Sequence, residues 1–253
     1  MSQFKTFFKI ICLLKNYYLW FANKLRINKK KISVYRLRNG TKHKVFSTSF
    51  NIINHIYNYD IYQRKLLEEG DTIIDIGAHA GVFSIAAAKN VGPKGKIYSF
   101  EPTNTNFNLL KENILLNDFP NVFPFKQAVW SKKTTKEIKI HSEIFGEGSH
   151  SFYGTRGNSI VEKVNCVTLK DIFIQNKIKT VKLLKLDCEG SEYEILFKTP
   201  KQILNKIQNI SMELHSSTEY SPDSLIAFLV KNNFKVKRLN TSWPHDMVYA
   251  RKT

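Results

Sequence analysis

Residues 72–81 read TIIDIGAHAG, and VFSIAAAKNV follows directly. A short apolar run that stops at a glycine reads as a buried strand, and the longer run behind it as a helix. Glycine lets a backbone turn tightly and approach a ligand, because no Cβ stands in the way. In an open α/β sheet, ligands sit at the carboxyl ends of the strands, where strand order reverses. Three residues, Ala78, His79 and Ala80, separate Gly77 from Gly81. That is not the G-x-G-x-x-G spacing that seats a pyrophosphate on a helix N-terminus. A wider turn, with Asp75 inside the strand end, suits a ligand that carries positive charge and no phosphate.

The next apolar run ends in Ser99-Phe100-Glu101-Pro102. A carboxylate at that point can accept hydrogen bonds from both hydroxyls of a ribose. Nicotinamide enzymes use an acid at the same place, so Glu101 alone does not discriminate. Together with the Gly77/Gly81 turn it favours S-adenosylmethionine, whose amino group and sulfonium Asp75 can attract. The plainer reading is a generic strand-end turn.

Outward from this centre, strands and helices alternate. The pattern predicts helices over 104–117, 192–198 and 221–231, the last capped by Ser221 ahead of Pro222. It predicts strands over 96–100, 121–129, 181–187, 207–214, 234–239 and 247–250. Repeated β-α-β units require right-handed crossovers and a mainly parallel sheet with helices on both faces. Upstream, apolar residues from Phe4 to Leu25 recur at helical spacing and predict one helix. Asn39-Gly40, between two extended runs, predicts a hairpin with a type I′ turn. Residues 1–59 thus read as a helix-and-hairpin extension, and 60–253 as one α/β domain. Residues 142–159 are rich in glycine and serine, and read either as a surface loop or as an active-site lid.

The net charge is +18, and it is gathered at the front: twelve Lys and Arg residues precede Asp60, with no acid among them. Such asymmetry points to an acidic partner, whether nucleic acid, an anionic membrane surface or a phosphorylated substrate, or else reflects a lysine-rich proteome. A basic helix with an aromatic face can lie in a membrane interface or pack on the domain. Three cysteines without CxxC spacing argue against a disulfide framework and for a reducing cytosol. The sequence carries no signal-peptide pattern and no membrane-spanning run, so the expectation is a cytoplasmic protein, peripheral at most to the inner membrane face.

Five blocks in order, DTIIDIGAHAG, SFEPTNTNFNLLKENILLN, QAVWS, LLKLDCEGSEYEIL and SMELH, resemble the FkbM-type methyltransferases. The resemblance runs from about Asp71 to His215. It implies a doubly wound, mainly parallel seven-stranded sheet of the class I, Rossmann-like methyltransferase kind, with one antiparallel strand. It implies S-adenosylmethionine as cofactor and O-methylation of a sugar, glycan or secondary-metabolite hydroxyl. His79 stands where the family often has Asn. The cofactor site it implies comprises Asp75, Gly77, Ala78, His79, Gly81 and Glu101. Asn106 would position the Glu101 loop, and Ala128 with Val129 would line the adenine pocket. Asn113 reads as a helix-to-loop hydrogen-bonding residue instead.

Methyl transfer needs alignment of acceptor and donor, and a hydroxyl acceptor must also lose a proton. Two strand ends offer the groups: Asp187-Cys188-Glu189 and Glu213-Leu214-His215. Asp187 reads as the acceptor-side acid. Glu189, Glu213 or His215 reads as base or orienting group, His215 being the natural proton acceptor by its ordinary pKa. His215 could equally be a surface or core histidine, and Glu189 and Glu192 could be helix N-terminal charges. Asp187, Glu213 and His215 could hold a cation, but no acid pair of the catechol-methyltransferase kind follows, and the reading assigns no metal. Two rival readings remain: a nucleic-acid methyltransferase, and a non-catalytic glycan- or membrane-binding protein on the same fold.

Overall fold

The computed structural model describes residues 3–141, 150–151, 159–215, 217, 219–239 and 246–253. The chain opens with α1 (Gln3–Leu13) and α2 (Tyr18–Lys24), so the single helix expected over 4–25 is two. The apolar spacing is helical throughout, but Leu14 leaves α1 to bridge Leu37. The Lys15 N–H donates to the Arg36 carbonyl at 2.8 Å, and the Arg38 N–H to the Leu13 carbonyl at 2.9 Å. Asn16 holds the break open from its side chain, bonding the Val34 carbonyl and the Arg36 N–H, each at 2.9 Å.

The expected hairpin is present as β1 (Ile32–Arg36) and β2 (Lys42–Phe46), antiparallel with Arg36 opposite Lys42. Its turn is not type I′. Gly40 has φ +95°, while Asn39 is absent from the positive-φ residues. The Gly40 N–H closes an ordinary turn on the Leu37 carbonyl, and the Leu37 N–H pairs with the Thr41 carbonyl. This is a three-residue loop with its bulge at glycine. The Asn39 side chain is spent on the Thr41 N–H and hydroxyl.

The extension shares its core with the chain beyond it. Ile10, Leu14, Tyr35 and Val45 pack in one cluster with Ile73, Phe83 and Ile85. Behind β2 lies a short helix, α3 (Phe50–Asn54), continued by one π-helical turn over His55–Tyr59. His43 is fully buried with a ring nitrogen 2.8 Å from the Tyr57 hydroxyl, and burial pushes its pKa down to about 3. The unfolded chain therefore takes a proton that the folded chain refuses between pH 6.5 and about 3. Stability from this residue is complete above pH 6.5 and falls as the pH drops, by about 1.4 kcal/mol per pH unit within the window. In acid titrations followed by circular dichroism, His43→Gln should lose stability less steeply from pH 6 to pH 4 than wild type.

The main sheet is built from β3 (Thr72–Ile76), β4 (Lys96–Phe100), β5 (Val122–Phe125), β10 (Val181–Leu186), β11 (Ile207–Leu214), β12 (Phe234–Leu239) and β13 (Asp246–Lys252). Its order is β12-β13-β11-β10-β3-β4-β5. β5, β4, β3, β10 and β11 run parallel, and β13 is antiparallel to both of its neighbours. The chain moves outward from β3 to β5 and then returns to the other side of β3. The reversal between β3 and β10 opens the crevice where such sheets take ligands. Helices α4 (Val82–Val91) and α5 (Asn104–Asn117) come after β3 and β4. α5 is tied to the hairpin by Asn113, which bonds the Lys44 N–H, the Lys44 carbonyl and the Ala80 carbonyl.

The strand expected over 121–129 divides. β5 ends at Phe125, opposite Phe100, and β6 (Ala128–Val129) enters a second sheet. That sheet has the order β6-β9-β7-β8, with β7 (Thr134–His141), β8 (His150–Ser151) and β9 (Ser159–Val167). The lid expectation over 142–159 falls outside the described residues, except at 150–151 and 159. α6 (Leu169–Gln175) starts on a Thr168–Asp171 capping box. Two short helices, α7 (Glu192–Phe197) and α8 (Lys201–Leu204), link β10 to β11. α9 (Pro222–Lys231) carries the expected Ser221 cap, which accepts from the Ser224 N–H. Among the described residues, no helix is long and apolar enough to cross a membrane.

Candidate functional site

The turn after β3 is held by its own amides. The N–H groups of Gly77 and Ala78 both donate to the Phe100 carbonyl at 3.0 Å, and the Gly81 N–H to the Ala78 carbonyl at 2.8 Å. The His79 N–H donates to Glu101 Oε2 at 2.9 Å. The amides of Gly77, Ala78, His79 and Gly81 are thus all spent within the protein. His79 has φ +53°, a left-handed conformation that His and Asn tolerate better than most side chains. A Cβ on Gly81 would stand 2.4 Å from Leu110 Cδ1, so glycine there lets α5 close on the turn.

Glu101, at the end of β4, is buried and aimed by three donors. Besides His79, the Thr103 N–H and hydroxyl reach its Oε1 at 3.0 and 2.6 Å. Burial raises its pKa above the ordinary carboxylate value, against the pull of these donors. Asn106 is 2% exposed, and its Nδ2 has no hydrogen-bond partner among the described residues. Glu101, Asn106, Ala128, Val129 and Phe100 all line one cavity of about 590 Å³. A cleft of that size suits a small organic molecule.

Asp75 does not line the cavity. It is fully buried, accepts from the Ser84 hydroxyl at 2.6 Å, and pairs with Lys185 Nζ at 3.1 Å. The direct attraction of a cationic ligand expected of Asp75 is therefore replaced by a structural pairing. Lys185 sits opposite Asp75 in the β3–β10 register, donates to the Gly77 carbonyl at 2.6 Å, and lies 3.6 Å from Asp187. Burial alone would lower its pKa, but Asp75 and Asp187 hold it above the ordinary lysine value. The sequence reading missed this residue. The signal was there: LLKL (183–186) and TIIDI (72–76) each carry one charge inside an otherwise apolar run. Lys185→Met would strand the buried Asp75 carboxylate and should cost about 3–5 kcal/mol in urea denaturation. Adding Asp75→Asn should restore part of that loss, so the two changes will not be additive.

At the far side of the cavity, Asp187, Glu189, Glu213 and His215 come together, all lining it. Tyr62 was also missed. It arrives from the segment before β3 and donates its hydroxyl to Asp187 Oδ2 at 2.7 Å. Burial and the Asp187 charge push the Tyr62 hydroxyl well up, so it remains a donor. Burial would raise Asp187, but Lys185 and His215 outweigh it and hold the carboxyl below its ordinary value. His215 Nδ1 lies 2.9 Å from Glu192 Oε1, while its Nε2 lies 3.7 Å from Glu189 and 3.8 Å from Glu213. Burial pushes Glu189 up to about 8, and it has φ +55° in the turn after β10.

The sequence expected His215 to be a near-neutral proton acceptor, and its surroundings correct that. Burial would lower its pKa, but Glu192, Asp187 and Glu189 together raise it to about 10. At neutral pH it is an imidazolium. Cys188 is held well above the ordinary thiol value by burial and by Glu192, so it carries no thiolate. Of the expected residues, Gly77, Ala78, His79, Glu101, Asn106 and Ala128 line the cavity together with the acid–histidine group. Gly81 and Asp75 act from behind it.

A family model described as the Methyltransferase FkbM domain matches residues 75–236. The chain is 23% identical over 236 residues to Methyltransferase sdnD of Sordaria araneosa, across 79% of this chain and 89% of that protein. It is 34% identical over 69 residues to the tRNA (adenine(58)-N(1))-methyltransferase catalytic subunit of Yarrowia lipolytica, across 27% of this chain and 18% of that one. Among solved structures, methyltransferase FkbM of Methylobacillus flagellatus KT superposes with a TM-score of 0.49 at 13% identity, covering 72% of this chain and 44% of that one.

Proposed function

Because the chain belongs to the FkbM family of methyltransferases and draws its methyl group from S-adenosylmethionine, we propose that it methylates a hydroxyl of a sugar, glycan or secondary metabolite. One observation carries this reading. A single cavity joins the Glu101 and Asn106 side to the Asp187, Glu189, Glu213 and His215 side. Donor and acceptor would meet within it.

The residues fit the cofactor. The Asn106 amide is a buried donor that lacks a partner among the described residues, and Glu101 is a pre-aimed acceptor for ribose hydroxyls. Ala128 and Val129 offer an apolar wall. When bound, S-adenosylmethionine supplies an electrophilic methyl on a sulfonium. Asp187, fixed by Tyr62 and Lys185, orients the acceptor hydroxyl. Glu213 takes its proton, Glu189 orients the acceptor from beside it, and the His215 cation steadies the resulting charge. Alignment of this kind supplies much of the acceleration in a displacement reaction.

The test is transfer of labelled methyl from S-adenosylmethionine to two pools, nucleotide- and lipid-linked sugars in one and total RNA in the other. The expected product is an O-methyl sugar after acid hydrolysis. Label confined to RNA nucleosides would replace this reading by nucleic-acid methylation, to which the +18 charge lends support.

The front segment supports a membrane-surface role for the same enzyme. Phe8, Tyr18, Leu25 and Ile27 are exposed, and lysines and arginines surround them in sequence. Basic and apolar groups together favour anionic bilayers. Because Ile10 and Leu14 lie in the core, truncation is the wrong test. Changing the four exposed residues to serine should weaken sedimentation with phosphatidylglycerol vesicles at low salt. Unchanged sedimentation would remove the membrane role.

A further inference from the structure

The geometry points to a divalent-cation site formed by Asp187, Glu213 and His215 on the acceptor side of the cavity. One ligand atom from each residue lies within 4.8 Å of the others. Two ligands of one ion, with bonds of about 2.1 Å, stand roughly 3–4.3 Å apart. A small rotation of the carboxylates would therefore close the set. Glu189, with an oxygen 3.7 Å from His215 Nε2, stands ready as a fourth ligand.

The set is more than a gathering of acids, because its orientation is built from behind. Glu192 is fully buried, and its Oε1 bonds both His215 Nδ1 and the Cys188 N–H. That contact commits Nδ1 and turns Nε2 toward Glu189 and Glu213. A carboxylate behind a histidine is the arrangement that fixes the tautomer of a metal ligand and raises its basicity. The second oxygen of Glu192 has no hydrogen-bond partner among the described residues, so its charge is not drawn off elsewhere. Asp187 is oriented in the same way, by the Tyr62 hydroxyl at 2.7 Å. Glu213 and His215 come from the end of β11 and Asp187 from the end of adjacent β10, so the framework is rigid. All three ligands line the cavity, which gives an ion its entry path.

Carboxylates with one imidazole suit Mg²⁺ or Mn²⁺ better than a soft metal. An ion there would displace the Nε2 proton of His215, take over the charge-steadying role of the imidazolium, and present open positions to the acceptor. It would favour molecules with two neighbouring oxygens, such as a vicinal diol. That role rests on the methyl-transfer reading; the site itself does not.

The full chain, stripped with EDTA, is titrated with Mn²⁺ while the free-ion signal is followed by electron paramagnetic resonance. S-adenosylmethionine binding is measured on the same samples. The expected result is one Mn²⁺ per chain, competed by Mg²⁺. Glu192→Gln should weaken Mn²⁺ about 10- to 100-fold through His215 alone. His215→Ala and Glu213→Gln should abolish saturable binding. Circular dichroism checks each variant, and Asp187→Asn serves if His215→Ala does not fold. No binding by wild type, or binding indifferent to all four changes, overturns the proposal. Cofactor binding without Mn²⁺ binding would end the cation site and leave the methyl-transfer reading standing. Mn²⁺ binding without cofactor binding would do the reverse.

Discussion

Replacing Gly77 with alanine should abolish methyl transfer, while the same change at Gly70 should leave it intact. Both glycines have positive φ, +73° and +86°, so both variants carry the same kind of backbone strain. That strain costs on the order of 1 kcal/mol. Their surroundings differ. A Cβ at Gly70 meets nothing within 4 Å, whereas at Gly77 it would stand 1.7 Å from the Asp187 carbonyl oxygen. The obstacle is backbone, in the strand end that carries the acid group, and cannot swing aside. β10 and β3 would have to separate at Gly77 and Asp187. Lys185, which donates to the Gly77 carbonyl, and the Tyr62 contact to Asp187 would move with them. Thermal unfolding and single-turnover transfer on the two variants separate strain from clash. Equal activity in both would show that the close approach does not matter.

Glu101→Ala should weaken S-adenosylmethionine binding by roughly 10²- to 10⁴-fold. The range comes from two hydrogen bonds to a charged acceptor at about 1.5–3 kcal/mol each, with 1.4 kcal/mol per factor of ten. The same change removes the anchor of the His79 and Thr103 amides, so some loss of stability accompanies it. Glu101→Gln separates the two effects. It keeps the shape but weakens the acceptor, and should recover stability more fully than affinity. Affinity within threefold of wild type in Glu101→Ala would remove this residue from the cofactor site.

Much of this architecture was legible because strand and helix boundaries coincide with chemistry the backbone requires. The glycine turn, the Ser221–Pro222 cap and the apolar runs at 72–76, 96–100 and 207–214 each mark their own ends. What stayed hidden depended on partners far away in sequence. Asn16 breaks the first helix only because a strand lies beside it to be bonded. Residues 121–129 divide because two sheets compete for one run. The pairing of Lys185 with Asp75 needs the β3–β10 register, and Tyr62 reaches Asp187 across 125 residues of chain. His215 was misjudged for the same reason, since its ordinary pKa says nothing of the acids folded around it.

The central claim is that one cavity binds S-adenosylmethionine beside the acid–histidine group. Calorimetric titration of that cofactor into the purified wild-type chain tests it most directly. The account predicts saturable one-to-one binding in the micromolar range, displaced by S-adenosylhomocysteine. Absence of binding heat, together with no displacement of labelled cofactor, would contradict it.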